Sequence, residues 1–169
     1  MHVGFFGPTG CGKTTLAQHL SGAYLRAGRA NLVCDPLGTR WPAAAWQTTD
    51  PVAFLAKAQA SRNCILWIEE SSITIQRDRD FSWLFTTARH VGHLTHVIGQ
   101  DGSSLTPGMR QPLGTIHLFR CHPDLAETWS RQFCDPALGA EAPTLERYEF
   151  LVCRPFVPVR RCRLDLSQK

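Results

Sequence analysis

The run His2-Val3-Gly4-Phe5-Phe6-Gly7-Pro8-Thr9-Gly10-Cys11-Gly12-Lys13-Thr14-Thr15-Leu16 decides how the chain is built. Its first five residues are an apolar run that stops at a glycine, long enough for a buried strand. Its last residues open a stretch, Thr14 to Ala27, in which Leu16, Leu20 and Tyr24 recur at helical spacing before Gly28 supplies a stop. Between strand and helix, residues 7–14 fit GxxxxGK[ST] at every fixed position. Glycines let the backbone curl so that successive N–H groups point inward, and the helix N-terminus behind them adds positive dipole. Such a loop cradles the phosphates of a nucleotide. Gly7, Pro8, Thr9, Gly10, Cys11, Gly12, Lys13, Thr14 and Thr15 are the expected binding residues for ATP. Lys13 is expected on the β- and γ-phosphates and the Thr14 hydroxyl on Mg²⁺.

Outward from this loop, strands alternate with helices. Leu32-Val33-Cys34 reads as a strand closed by the turn Asp35-Pro36-Leu37-Gly38, and Asp50-Pro51 caps a helix that runs to Ala60. Cys64-Ile65-Leu66-Trp67-Ile68 is the strongest strand signal. Phe81, Leu84, Phe85 and Ala88 fall on one helical face, Leu94 to Gly99 and Thr115 to Phe119 read as strands, and a helix lies between 123 and 134. Past Pro143 the pattern becomes a hairpin, with Pro155 and Pro158 near its turn, where missing amide donors are harmless. The expected fold class is α/β, a three-layer P-loop core with a mainly parallel sheet plus a C-terminal β-hairpin. Residues 1–143 would form the core and 144–169 a basic hairpin and tail of the same domain.

Two more stretches carry chemistry. In Ile65-Leu66-Trp67-Ile68-Glu69-Glu70 an apolar strand ends in two carboxylates. Glu69 is expected to hold Mg²⁺, and Glu70 to polarise the attacking water as general base. In His96-Val97-Ile98-Gly99-Gln100 a strand ends in an amide; if it lies between the phosphate-loop strand and the Glu69 strand, Gln100 faces the γ-phosphate. Arg89, near a helix end, and Arg110 are the arginines able to neutralise transition-state charge on a neighbouring copy. His90, His93 and His96 straddle a helix end, a glycine and a strand, and read as polar loop contacts rather than a ligand set.

Composition bounds the rest. The chain has 169 residues, 43% hydrophobic and 19% charged, enough to bury a core, which excludes disorder of the whole. No apolar run reaches the ~18 residues of a membrane span, and no signal peptide opens the chain, so a cytosolic setting is expected. Seven scattered cysteines without a CxxC pair argue against a disulfide framework or zinc finger. The net charge of +4 arises after residue 146, where six basic groups face Glu149 and Asp165. Arginine outnumbers lysine 15 to 3, and its planar fork suits phosphates.

The ordered set GPTGCGKTT, LVCDPLG, ILWIEES, TTARHVGHLTHVIGQ and LGTIHLFRCHPDLAETW, followed by the hairpin, resembles the FtsK–HerA group of P-loop ATPases. In size it is most similar to the genome-packaging ATPases of double-stranded DNA viruses with internal membranes. The resemblance implies a 5-1-4-3-2 strand order of the ASCE/RecA-like type. It implies Lys13, Glu70, Gln100 and Arg89 as the catalytic set, with Arg89 the trans-acting finger, and Thr14 and Glu69 on the metal. Asp35 matches the acid of the DP-x-G turn. The resemblance further implies a homo-oligomeric ring, commonly hexameric, with sequence-independent double-stranded DNA in its channel. The segment Asp101 to Gln111 is the candidate channel loop, with Arg110 its cation. Capsid-vertex or virion-membrane proteins are the implied docking partners, and host cytoplasm or virion the implied location. Glu69 stands where the group carries aspartate.

Two rival readings remain at this level. One is a small-molecule P-loop kinase, for which a water-activating Glu70 is a liability. The other is a nucleotide-binding phage morphogenesis protein without DNA translocation.

Overall fold

The computed structural model describes residues 2–75 and 80–165. Strand β1 (His2–Phe6) leads through the glycine-rich loop into helix α1 (Lys13–Arg26). Next come β2 (Asn31–Cys34), β3 (Trp46–Thr48), α2 (Pro51–Gln59), β4 (Ile65–Ile68), α3 (Ser71–Thr74) and α4 (Trp83–Thr86). They are followed by β5 (Leu94–Gly99), α5 (Pro107–Arg110), β6 (Leu113–Phe119), α6 (Pro123–Phe133), α7 (Pro136–Glu141), β7 (Glu149–Arg154) and β8 (Val157–Arg163). All eight strands form one sheet in the order β3-β2-β4-β5-β1-β6-β7-β8. The six from β3 to β6 are parallel, and β7 and β8 add antiparallel at one edge.

Counting only the five strands anticipated from sequence, their order is 5-1-4-3-2. The sheet differs in detail because β3 adds an unanticipated edge strand beyond β2, and the hairpin extends the sheet at its other edge. The continuous apolar runs follow from burial on both faces. Phe5, Ile65 and Trp67 point to the layer holding α1, while Phe6, Leu66 and Ile68 point to the layer holding α2, α4 and α6. Asn31, fully buried, ties the α1 layer together: its amide donates to the Ser21 and Ala43 carbonyls and accepts from Trp67 Nε1 at 2.8 Å.

The helix anticipated over 81–88 is broken. Phe81, Leu84, Phe85 and Ala88 are all buried, yet only Trp83–Thr86 is α-helical, between 3₁₀ turns at Asp80–Ser82 and Ala88–Val91. The β-branched pair Thr86-Thr87 lies at the break, and the Thr86 hydroxyl donates back to the Ser82 carbonyl. His93 and His96 are core groups, not loop contacts. His93 Nδ1 accepts from Cys64 N, which leaves Nε2 to donate to the Ala58 carbonyl, and His96 packs on Trp67 at 4.1 Å between ring centres. Among the described residues no helix is long and apolar enough to cross a membrane.

The basic C-terminal segment is partly neutralised. Arg161 pairs with Glu149 and Arg163 with Glu146, both at the surface, whereas Lys169 lies outside the described residues.

Candidate functional site

The phosphate loop lies at the C-terminal edge of the parallel strands, where α/β folds of this kind bind ligands. Gly7 N donates to the Gln100 carbonyl at 2.8 Å, fastening the loop to the end of β5. Two glycines are required by space as well as by conformation. Gly7 has φ 147°, and a Cβ there would lie 2.7 Å from Phe119 Cβ. Gly12 has φ 108°, and its Cβ would meet Leu164 at 2.6 Å and Tyr148 at 3.0 Å.

The longer helices differ in how their N-termini are capped. Helices α2, α6 and α7 each begin with a side chain that accepts an orphan amide, Asp50, His122 and Asp135 respectively. Helix α1 is the longest, yet its N-cap is Gly12 with no side-chain cap and no acid in the first turn. No capping side chain and no acid offsets the positive end of its dipole. Lys13, only 7% exposed, donates from Nζ to the Gly7 and Pro8 carbonyls at 2.8 and 2.9 Å. Those contacts hold its ammonium in the bowl of the loop.

The carboxylates of β4 arrive beside it. Thr14 Oγ1 donates a short hydrogen bond to Glu69 Oε1, so the two residues assigned to the metal are in contact. Glu69 is buried, and that burial pushes its carboxyl up; the Thr14 hydroxyl and Glu70 amide oppose the rise, while the negative charges of Asp35 and Glu70 add to it. A hydroxyl and a buried carboxylate, crowded by further negative charge, are hard oxygen donors suited to Mg²⁺. Asp35 itself is fully buried at the end of β2, accepting from Leu37 N at 2.9 Å and Trp41 Nε1 at 3.3 Å. It braces the turn.

Glu70 has φ 43° and ψ 64°, the left-handed region that a residue with a Cβ enters at a cost of about 1–2 kcal/mol. The conformation is held because α3 starts there: Ile73 N and Thr74 N both donate to the Glu70 carbonyl, and the Thr74 hydroxyl donates to that of Glu69. Strain at such a place belongs to sites that must aim a side chain. Glu70 lines the same cleft of about 310 Å³ as Thr9, Lys13 and Thr14.

Other expected residues are placed differently. Gln100 contributes its carbonyl to the loop, but its exposed side chain lines a neighbouring cleft of about 650 Å³ with Pro8, Asp101, Arg120 and His122. Arg89 is exposed in the turn before β5, at the N-terminal edge of the strands, about 13 Å of strand from its own phosphate loop. Arg110 is half-buried, with its Nε enclosed and unpartnered. The Asp101–Gln111 segment is a packed crossover instead of a free loop: Leu105 and Met109 enter the core, and Ser104 Oγ donates to Ser71 Oγ at 2.8 Å. Arg147 and Tyr148 also line the Glu70 cleft. They carry no motif, and only the pairing of β7 with β6 brings them there.

Residues 1–126 match a family model described as ABC transporter. The chain belongs to the ABC transporter family of P-loop ATPases. No curated protein matches this P-loop ATPase in sequence. Among solved structures it is similar to the genome packaging NTPase B204 from Sulfolobus turreted icosahedral virus 2 in complex with AMPPCP. That match has a TM-score of 0.81 at 17% identity, covering 98% of this chain and 97% of that one. It is also similar to the pCW3 conjugation coupling protein TcpA with ATPγS (TM-score 0.71, 14% identity, 96% of this chain and 59% of that). A third similar structure is the cytoplasmic domain of the type VII secretion ATPase EccC from Thermomonospora curvata (TM-score 0.73, 10% identity, 99% and 24%). The fold is thus shared with these proteins, and the hairpin beyond residue 126, outside the family match, is included in the structural one.

Proposed function

We propose that this P-loop ATPase is an ATP-driven double-stranded DNA translocase that packages a viral genome into a preformed capsid. The observation that carries the reading is end-to-end correspondence of fold with a genome packaging NTPase, terminal hairpin included, in a chain whose cleft holds an uncapped helix, Lys13 and Glu70 together. Free amides of the loop and Lys13 grip the β- and γ-phosphates. Thr14 and Glu69 would hold Mg²⁺, which when bound offsets phosphate charge. Glu70 takes a proton from water as its oxygen attacks the γ-phosphorus; the bond to the β-bridging oxygen breaks, and ADP and phosphate leave. Such a base contributes ~10²–10⁴-fold.

Arg89 stands too far from its own loop to serve it, which favours action on a neighbour's nucleotide in a ring, hexameric in this reading, with DNA in the channel. Gln100 couples the end of β5 to the loop through its backbone. Docking of the ring to capsid-vertex or virion-membrane proteins belongs to the same proposal. Glu70→Gln and Arg89→Ala chains, each inactive alone, are expected to regain part of their phosphate release when mixed. No regain between folded, assembled chains removes Arg89 from the finger role. Double-stranded DNA is expected to raise ATP turnover whatever its sequence, and added salt to abolish that rise. Turnover indifferent to DNA points to the assembly-protein reading, and transfer of phosphate to an added nucleoside to a kinase.

A further inference from the structure

The cleft over the phosphate loop has two walls from opposite sides of the sheet. Glu70 follows β4, which lies two strands to one side of β1; Arg147 and Tyr148 precede β7, two strands to the other side. Because β7 runs antiparallel, its first residues fall at the edge where β1 ends, as the pairing of Phe119 with Phe150 fixes. The polarity of a bound triphosphate follows. Its γ end belongs at Glu70, Glu69 and Thr14, so its nucleoside end points toward Arg147 and Tyr148.

These two residues are built as a flat surface. The Arg147 guanidinium lies over the Tyr148 ring, 4.7 Å from its centre. Tyr148 is held with φ 68°, its carbonyl accepting from Leu164 N at 2.9 Å, and its ring edge fills the space that a Cβ on Gly12 would need. Arg147 is exposed and, among the described residues, forms no ion pair, although Glu146 and Glu149 are adjacent; those acids pair with Arg163 and Arg161 instead. A guanidinium stacked on an aromatic ring keeps its other face free, and that face is the size and chemistry that receives a nucleobase.

We infer that Arg147 and Tyr148 form the stacking platform for the base of the bound nucleotide. This rests on the reading of residues 7–15 as a nucleotide site and names its specificity-determining wall. Recognition is through the ring face, so the ligand class is a nucleoside triphosphate, distinguished from inorganic polyphosphate by its base. Stacking of one base on such a surface is worth ~1–3 kcal/mol, a factor of about 5–150 in affinity.

The test compares dissociation constants for MgATP and for magnesium tripolyphosphate, by calorimetric titration of the full chain. Arg147→Met, at an exposed position, and Tyr148→Ala are each expected to weaken MgATP about tenfold and to leave tripolyphosphate unchanged; Tyr148→Phe is expected to behave as the parent. Equal losses for both ligands, or no loss for MgATP in Arg147→Met, overturn the platform. Retained tripolyphosphate affinity certifies that a variant is folded. If the parent chain binds neither ligand, the phosphate-loop reading itself has failed, a different result from either of these.

Discussion

Lys13→Ala is expected to lose at least a hundredfold in affinity for MgATP and to reduce phosphate release to background. The residue is 7% exposed and its ammonium is fixed over the loop by two carbonyls, so it meets a phosphate already oriented. Hydrogen bonds to charged groups contribute about 1.5–3 kcal/mol each. Two such contacts, to the β- and γ-phosphates, amount to about 3–6 kcal/mol, and each 1.4 kcal/mol is about tenfold. The variant is expected to stay folded, since β1, α1 and the Gly7–Gln100 hydrogen bond that anchors the loop do not depend on the Lys13 side chain. Lys13→Arg is not a rescue, because a longer planar fork does not sit between the same two carbonyls. Calorimetry with MgATP, alongside circular dichroism, decides it; unchanged affinity in a folded variant refutes the phosphate-loop reading.

Acid is expected to destabilise the chain by several kcal/mol by pH 4.5. Burial holds His96 and His117 down to about 3 and His2 down to about 4, so all three are neutral in the native state across the physiological range. His96 sits among Trp67, Phe5 and Tyr24, with the Tyr24 hydroxyl 3.2 Å from its Nε2; among the described residues its Nδ1 and His2 Nε2 are enclosed and unpartnered. Unfolded, each titrates near 6.5. The unfolded chain therefore binds more protons between pH 6.5 and the native values, and stability present above pH 6.5 is lost as pH falls through that window. At pH 4.5 the loss is about 2–3 kcal/mol for each histidine. For three, about 7 kcal/mol is a large share of the 5–15 kcal/mol typical of a domain. Urea unfolding at pH 7 and 4.5 measures it, and His96→Gln, which keeps a polar end but cannot ionise, is expected to recover about a third. A midpoint that does not move with pH contradicts the burial of these rings.

The central strands and the loop chemistry were legible because each is local. A glycine pattern between an apolar strand and an amphipathic helix specifies its own geometry, and the run Ile65–Ile68 followed by two acids announces a strand end. Trp46–Thr48 was not legible: three residues without alternation become a strand only because β2 offers a free edge. The break after Trp83–Thr86 was hidden because burial of Phe81, Leu84, Phe85 and Ala88 fits either a continuous helix or a broken one. Arg147 and Tyr148 left no trace in sequence, since their approach to Gly12 depends on pairing between β6 and β7. Nor does any pattern reveal that Glu70 is left-handed; that follows from α3 beginning at its carbonyl.

The position of β1 bears on how the molecule reaches this state. It is the first strand in the chain and lies in the sheet interior, paired along its length with β5 and β6, about ninety and more than a hundred residues downstream. Until those partners dock, Phe5 and Phe6 lack their flanking strands and the loop that follows has no anchor at Gln100. Closing such distant contacts is slow compared with forming a helix. The triphosphate grip thus comes into being only when the whole sheet has closed, and nucleotide affinity doubles as a probe of complete folding.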